Sequence, residues 1–246
     1  MPQAPVQLDH VAIGVEDVAR VAPVVGELGG SPRGAAVGRG FRFWQWEFAG
    51  GGALEVLVPD GPPGGFLHRF LATRGAGMHH ATFKVQDIRA VLDHAKARGY
   101  AVVGFDDREP SWIEAFLHPK SVPGIVVQVV EAHPELDGPS GPGLQYPPTT
   151  PARARARLLG LSMSVRSEAR ARALFEDLLR GACREQAGRL VFHWPASPLR
   201  IAVTVDPARD EGPLALELSA SRPLALPRGA HPALGVTLVQ VEEDGR

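Results

Sequence analysis

The chain repeats itself. Asp9-His10-Val11-Ala12-Ile13-Gly14-Val15-Glu16-Asp17-Val18 aligns with His79-His80-Ala81-Thr82-Phe83-Lys84-Val85-Gln86-Asp87-Ile88 at a constant offset of 70 residues, so His10 falls on His80 and Asp17 on Asp87. Repetition of this kind makes each copy one supersecondary unit whose apolar face a neighbour must cover. Each copy reads as a short strand, an aspartate able to cap a helix, then a helix. The first helix runs over about residues 18–28 and stops at Gly29-Gly30; the second runs over about 88–98 and stops at Gly99. Ile88, Val91, Leu92 and Ala95 share one face of the second helix, the periodicity of a helix lying on a sheet. Three strand-like runs follow each helix, near 31–37, 41–48 and 53–58 in the first copy and near 101–105, 112–118 and 125–130 in the second. The order is βαβββ, twice. It predicts an α+β fold in which tandem modules build a concave mixed sheet.

Side chains alternate along a strand, so His10, Ala12 and Gly14 share one face, as do His80, Thr82 and Lys84. The copies end on parallel text, Leu54-Glu55-Val56-Leu57-Val58 against Val127-Gln128-Val129-Val130-Glu131, which makes Glu55 and Gln128 equivalent. Pseudo-twofold packing of the copies brings together two imidazoles, one carboxylate and one amide. A carboxylate buried between Leu54 and Val56 is costly without a counter-charge. No lysine or arginine recurs at matching offsets, and a metal ion is the simplest candidate. The predicted ligands are therefore His10, Glu55, His80 and Gln128, holding one divalent ion. Nitrogen and oxygen donors without thiolate suit zinc, nickel, cobalt, manganese or ferrous iron and do not choose among them.

The text around these residues resembles the vicinal oxygen chelate (glyoxalase/bleomycin resistance/dioxygenase) superfamily, and within it methylmalonyl-CoA epimerase and glyoxalase-like proteins. The segments that carry the resemblance are Leu8-Asp9-His10-Val11-Ala12, Gly75-Ala76-Gly77-Met78-His79-His80-Ala81-Thr82, and His118-Pro119-Lys120-Ser121 leading to Gly124-Ile125-Val126-Val127-Gln128. It covers residues 7–131. It implies metal ligation by His10 and His80, with Glu55 where related epimerases tend to have glutamine and Gln128 where they have glutamate. The ligand types are kept but exchanged between copies. A glutamine amide accepts no proton at neutral pH, so a proton-transfer role passes to Glu55 or to a neighbouring carboxylate. Glu47, on Phe41-Arg42-Phe43-Trp44-Gln45-Trp46-Glu47-Phe48, and Glu114, in Trp112-Ile113-Glu114-Ala115-Phe116, are the candidates. His79 is read as structural and His118 as part of a turn.

The expected activity is that of a metal-dependent isomerase. It would polarise a substrate carbonyl for proton transfer, as in epimerisation of a small acyl-CoA or related compound. Two other readings compete. Two histidines and one carboxylate also suit a non-haem iron ring-cleaving dioxygenase. A non-catalytic small-molecule binding or resistance protein would use Trp44, Trp46 and Trp112 to line an apolar cleft.

Residues 132–151 are rich in proline and glycine and read as a linker between a metal-binding domain (1–131) and a second domain (152–246). The second domain is a degenerate module pair. A strand over 158–165, a helix over 167–179 and strands near 190–193 and 201–205 make a third βαβββ unit, with Gly160 where His10 would be and Ala202 near the place of Glu55. A fourth, truncated copy retains strands over 214–220 and 236–241, and its His231-Pro232…Gly235 echoes His118-Pro119…Gly124. Glu217 and His193 are chelating types on plausible strands, but no ligand pattern recurs, so no metal is expected there. A formal net charge of −1 offers nothing global to nucleic acid or an anionic membrane, and the alternating Arg153, Arg155 and Arg157 read as a solvated edge. One cysteine, Cys183, excludes an intrachain disulfide. With no apolar run near about 18 residues and no signal-peptide pattern, a cytoplasmic protein is expected. It would act on a small-molecule substrate, as a monomer with an internal pseudo-dimer or as a homodimer.

Overall fold

The computed structural model describes residues 5–136 and 143–242, so part of the expected linker (137–142) lies outside the described residues. The first copy consists of β1 (Gln7–Gly14), α1 (Val18–Glu27), β2 (Ser31–Gly38), β3 (Phe41–Glu47) and β4 (Ala53–Pro59). A helix the repeat did not announce, α2 (Phe66–Arg74), leads into the second copy: β5 (Gly77–Val85), α3 (Ile88–Ala97), β6 (Val102–Asp106), β7 (Trp112–Leu117) and β8 (Val126–Ala132). The third copy holds β9 (Arg157–Val165), α4 (Glu168–Arg172), β10 (Ala182–Gln186), β11 (Arg189–His193) and β12 (Arg200–Val205). The fourth keeps β13 (Gly212–Ser219) and β14 (Leu238–Gln240). Hydrogen bonding orders the strands β2-β3-β4-β1-β5-β8-β7-β6 in one sheet and β10-β11-β12-β9-β13-β14 in the other. The fold is α+β with two mixed sheets, as the tandem βαβββ pattern predicts.

Local chemistry explains the helices. Asp17 caps α1 by accepting the Ala19 N–H at 2.8 Å, and Asp87 caps α3 by accepting the Ala90 N–H at 2.9 Å. Val18, Val21, Ala22 and Val25 form the buried stripe of α1, and Ile88, Leu92 and Ala95 that of α3. The helix of the third copy departs from expectation. After Arg172 it widens into a π-helical turn, Ala173–Leu178, and the wider turn spreads Leu174, Phe175 and Leu178 over the buried side, each at 2% exposure or less.

The described chain falls into two compact units. One contains the residues through Asp9, the second copy from His80, and Leu161–Leu214; the other contains His10–His79, the described residues between 142 and 160, and those from Ala215. Within the first unit the Phe83 and Trp194 rings meet edge to face at 5.0 Å, and Phe175 lies 5.2 Å from Phe192. The Trp194 indole N–H donates to Leu179 O at 2.7 Å, so this large apolar ring is buried without an orphaned donor. Within the second unit, Leu67 of α2 packs on Ala12 and Leu57, with Phe41, Phe43, Phe70 and Leu71 around them. Helix α2 thus covers the face of β1 that carries Ala12 and Gly14.

Over its described residues the expected linker docks as a strap on the first copy. The Tyr146 hydroxyl accepts the Gly34 N–H at 2.8 Å and lies within donating distance of the carbonyls of Gly34 (2.6 Å) and Gln45 (2.7 Å). It fills the register shift that β2 makes against β3 between Pro32 and Gly34. The Trp44 indole donates to Gln145 O at 3.0 Å, and the amides of Arg153 and Ala154 both donate to Glu27 O.

The paired His-Pro…Gly motifs are matching turns. His118 Nδ1 accepts the Lys120 N–H and His231 Nδ1 the Ala233 N–H, each at 3.2 Å. Gly124 (φ 66°) and Gly235 (φ 67°) hold left-handed backbone, and a Cβ on either would collide with a backbone carbonyl, of Glu211 and Ala76 respectively.

Two stability predictions follow from these contacts. Tyr146→Phe removes the hydroxyl that bonds at the β2 irregularity and lowers unfolding stability by about 1–2 kcal/mol in urea titration; an unchanged midpoint would mean that the strap does not brace the sheet. Gly124→Ala combines a disfavoured φ with a backbone collision and lowers stability by at least about 2 kcal/mol, read as a drop in thermal midpoint.

Candidate metal centre

In the first copy, the parallel pairing of β1 with β4 sets Ala12 opposite Glu55, and the antiparallel pairing of β3 with β4 sets Gln45 opposite Glu55. His10 and Glu55 are both buried, with His10 Nε2 3.5 Å from Glu55 Oε2. Gln45 Nε2 donates to the same carboxylate oxygen at 2.7 Å.

The second copy repeats the register. Thr82, the counterpart of Ala12, stands opposite Gln128 on β8, just as Ala12 stands opposite Glu55. The equivalence of Glu55 and Gln128 read from the repeat is therefore an equivalence of place. The surroundings differ. Thr82 Oγ1 donates to Gln128 Oε1 at 2.6 Å, and Gln128 Nε2 donates to Glu114 Oε2 at 2.6 Å. The Trp112 indole donates to the same Glu114 oxygen at 3.1 Å. Lys84 Nζ lies 5.5 Å from the Trp112 ring centre and 2.9 Å from the buried Asp9 carboxylate. His80 stands edge-on to Phe116 at 6.4 Å.

Three of the four predicted ligands come together. His10, Glu55 and His80 are all buried, and one ligand atom from each lies within 4.8 Å of the others. Two imidazole nitrogens and a carboxylate oxygen at that spacing fit a single divalent ion, whose bonds to such atoms are about 2.0–2.2 Å long. The fit is also electrostatic, because a cation offsets the cost of burying the Glu55 charge. Gln128 shares the region of His80 on its own copy, but both ends of its amide are engaged. What remains to an ion is the second lone pair of Oε1.

The candidate bases separate. Glu114 is half-buried and held by two donors, whereas Glu47 lies exposed at the end of β3, opposite Ala53. His79 packs against the rings of Phe66 (5.6 Å) and Phe70 (4.9 Å). Burial pulls its pKa down to about 4, against the opposing pull of the Glu55 charge, so it is neutral at pH 7. Trp44 and Trp46 correct an expectation: they alternate with Gln45 and so occupy the other face of β3. Both are buried, with Trp46 edge-on to Tyr146 at 5.2 Å, so this pair lines no cleft beside Glu55. In the later copies Glu217 is fully buried opposite Val239, and His193 stands opposite Arg200. Burial pushes the half-buried Cys183 thiol up, away from the reactive thiolate.

Gln45 and Thr82 escaped the sequence reading. Each had a signal: Gln45 faces Glu55 once the β3–β4 hairpin is registered, and Thr82 is a hydroxyl at the repeat position of an alanine.

Residues 9–116 match the Glyoxalase/Bleomycin resistance/Dioxygenase superfamily model. No curated protein matches the sequence. Among solved structures, methylmalonyl-CoA epimerase from Mycobacterium tuberculosis is 24% identical over 52% of this chain and 89% of its own, with a TM-score of 0.48. A hypothetical protein from Bacillus halodurans is 26% identical over 54% of this chain and 99% of its own, with a TM-score of 0.47. A hypothetical protein from Staphylococcus aureus is 8% identical but spans 96% of this chain and 100% of its own at a TM-score of 0.61, a likeness of fold across all four copies. Over residues 9–116, then, this chain carries a domain of the Glyoxalase/Bleomycin resistance/Dioxygenase superfamily.

Proposed function

We propose that the protein is a metal-dependent isomerase that moves a proton at the carbon next to a substrate carbonyl, in a small acyl-CoA ester or a related compound. The observation that supports this reading is the buried His10–Glu55–His80 donor set. A divalent ion held by these residues, with Gln128 as a further oxygen donor, supplies Lewis-acid polarisation of a carbonyl. Glu114 is the group we assign to take the α-proton, as the C–H electron pair shifts toward the carbonyl. Its Oε2 accepts from Trp112 and Gln128, which fixes where the carboxylate stands. Delivery of a solvent-derived proton to the opposite face of the carbon inverts the centre, and Glu114 then loses the proton it took to water. Gln128 in this scheme is a donor and a support for Glu114, because an amide cannot take the proton.

A second reading has an observation of its own. With both ends of the Gln128 amide engaged, the donor set reduces to two histidines and one carboxylate, the set used by non-haem iron oxygenases.

One experiment separates them. Metal-loaded protein incubated anaerobically with acyl-CoA esters in deuterated water incorporates deuterium at the α carbon, followed by proton NMR. Glu114→Gln slows incorporation by about 10²–10⁴-fold with metal content unchanged. Absence of exchange for every ester, or exchange indifferent to Glu114→Gln, contradicts the isomerase assignment. Oxygen-consuming cleavage of a catechol with ferrous iron alone would select the dioxygenase.

A further inference from the structure

We infer that Gln45 is a positioning residue for the metal centre, setting the orientation of Glu55 and through it the affinity for the ion. This rests on the proposed metal-binding reading and adds to it a residue outside the four ligands. The terminal torsion of a glutamate side chain is broad and roughly two-fold, so its rotamer alone does not aim an oxygen. At Glu55 the aim comes from a hydrogen bond: Gln45 Nε2 donates to Oε2 at 2.7 Å, and the same oxygen lies 3.5 Å from His10 Nε2. A carboxylate oxygen has lone pairs for both an amide donor and an ion.

Gln45 is itself held from two sides. It stands directly opposite Glu55 in the β3–β4 register, so its side chain emerges on the same face. Its backbone carbonyl takes the Tyr146 hydroxyl at 2.7 Å, so the strap after the second copy anchors the residue that aims the ligand. The second copy carries the same amide-to-carboxylate bond with the strand order reversed. There the glutamine is on the inner strand β8 and the glutamate on the outer strand β7, with Gln128 Nε2 donating to Glu114 Oε2. The two bonds therefore have different duties: the outer-strand amide of the first copy steadies a ligand, whereas the inner-strand amide of the second steadies the carboxylate outside the donor cluster.

The test is a competition titration of zinc and cobalt(II) against a chromophoric chelator, using metal-free wild type, Gln45→Met and Gln45→Glu. Methionine keeps length and volume but has no donor; glutamate places a second carboxylate against Glu55. Supporting the inference, both variants bind about 10–100-fold more weakly than wild type. The cobalt visible absorption shifts as the ligand field changes, and metal-free Gln45→Met still unfolds cooperatively, its thermal midpoint lowered only by the loss of one hydrogen bond to a buried carboxylate. Equal affinity and an unchanged cobalt spectrum in Gln45→Met would overturn it, and so would a loss of affinity matched by loss of the metal-free fold in both variants. The wild-type affinity separately judges the metal reading: no binding by wild type overturns that reading and this inference together, whereas tight wild-type binding with indifferent variants overturns this inference alone.

Discussion

Glu55 is a carboxylate at 7% exposure in the middle of a strand whose neighbours, Leu54 and Val56, are at 2% and 0%. Taking such a charge out of water costs several kcal/mol unless something positive or a set of donors replaces the lost hydration. Much of the first copy is arranged around that requirement. The parallel β1–β4 pairing brings His10 beside the carboxylate, the hairpin partner Gln45 donates to it, and small residues at Ala12 and Gly14 leave α2 room to close over the neighbouring part of the same face. A divalent ion, as proposed, would complete the compensation, and the same ion is what the proposed chemistry needs.

The two copies share a register and differ in chemistry. Each places one acid and one amide on the last two paired strands, joined by an amide-to-carboxylate hydrogen bond, with the acid inner in one copy and outer in the other. A symmetric backbone thereby yields an asymmetric site. One copy has a buried carboxylate on its inner strand; the other has a neutral amide there and keeps its carboxylate one strand away, where Trp112 also reaches it. That separation suits a base, which must be near the reacting carbon without being spent on the ion.

The repeat made the modules, the equivalence of Glu55 with Gln128 and the pairing of His10 with His80 legible, because strand alternation and a constant offset are backbone properties that side-chain drift does not erase. Helix α2 was not legible: its single fully buried residue, Leu67, gives too little periodicity to mark a helix. The docking contacts of the strap are not legible for a related reason. Proline and glycine announce the lack of helix or sheet but say nothing about where a tyrosine hydroxyl or a free amide will dock. Trp44 and Trp46 alternate onto one face of β3, but alternation alone does not say that this face is the core and not a cleft. The engagement of Gln128 by Thr82 and Glu114 depends on cross-strand pairing to a residue's side, which needs the register of two further strands.

The measurement that bears hardest on this account is elemental analysis of the purified protein beside its His10→Ala and His80→Ala variants. The account predicts about one equivalent of a transition metal in the wild type and its loss in both variants, since each removes one of three buried donors. No metal in the wild type under any loading condition, or full retention in both variants, would contradict it.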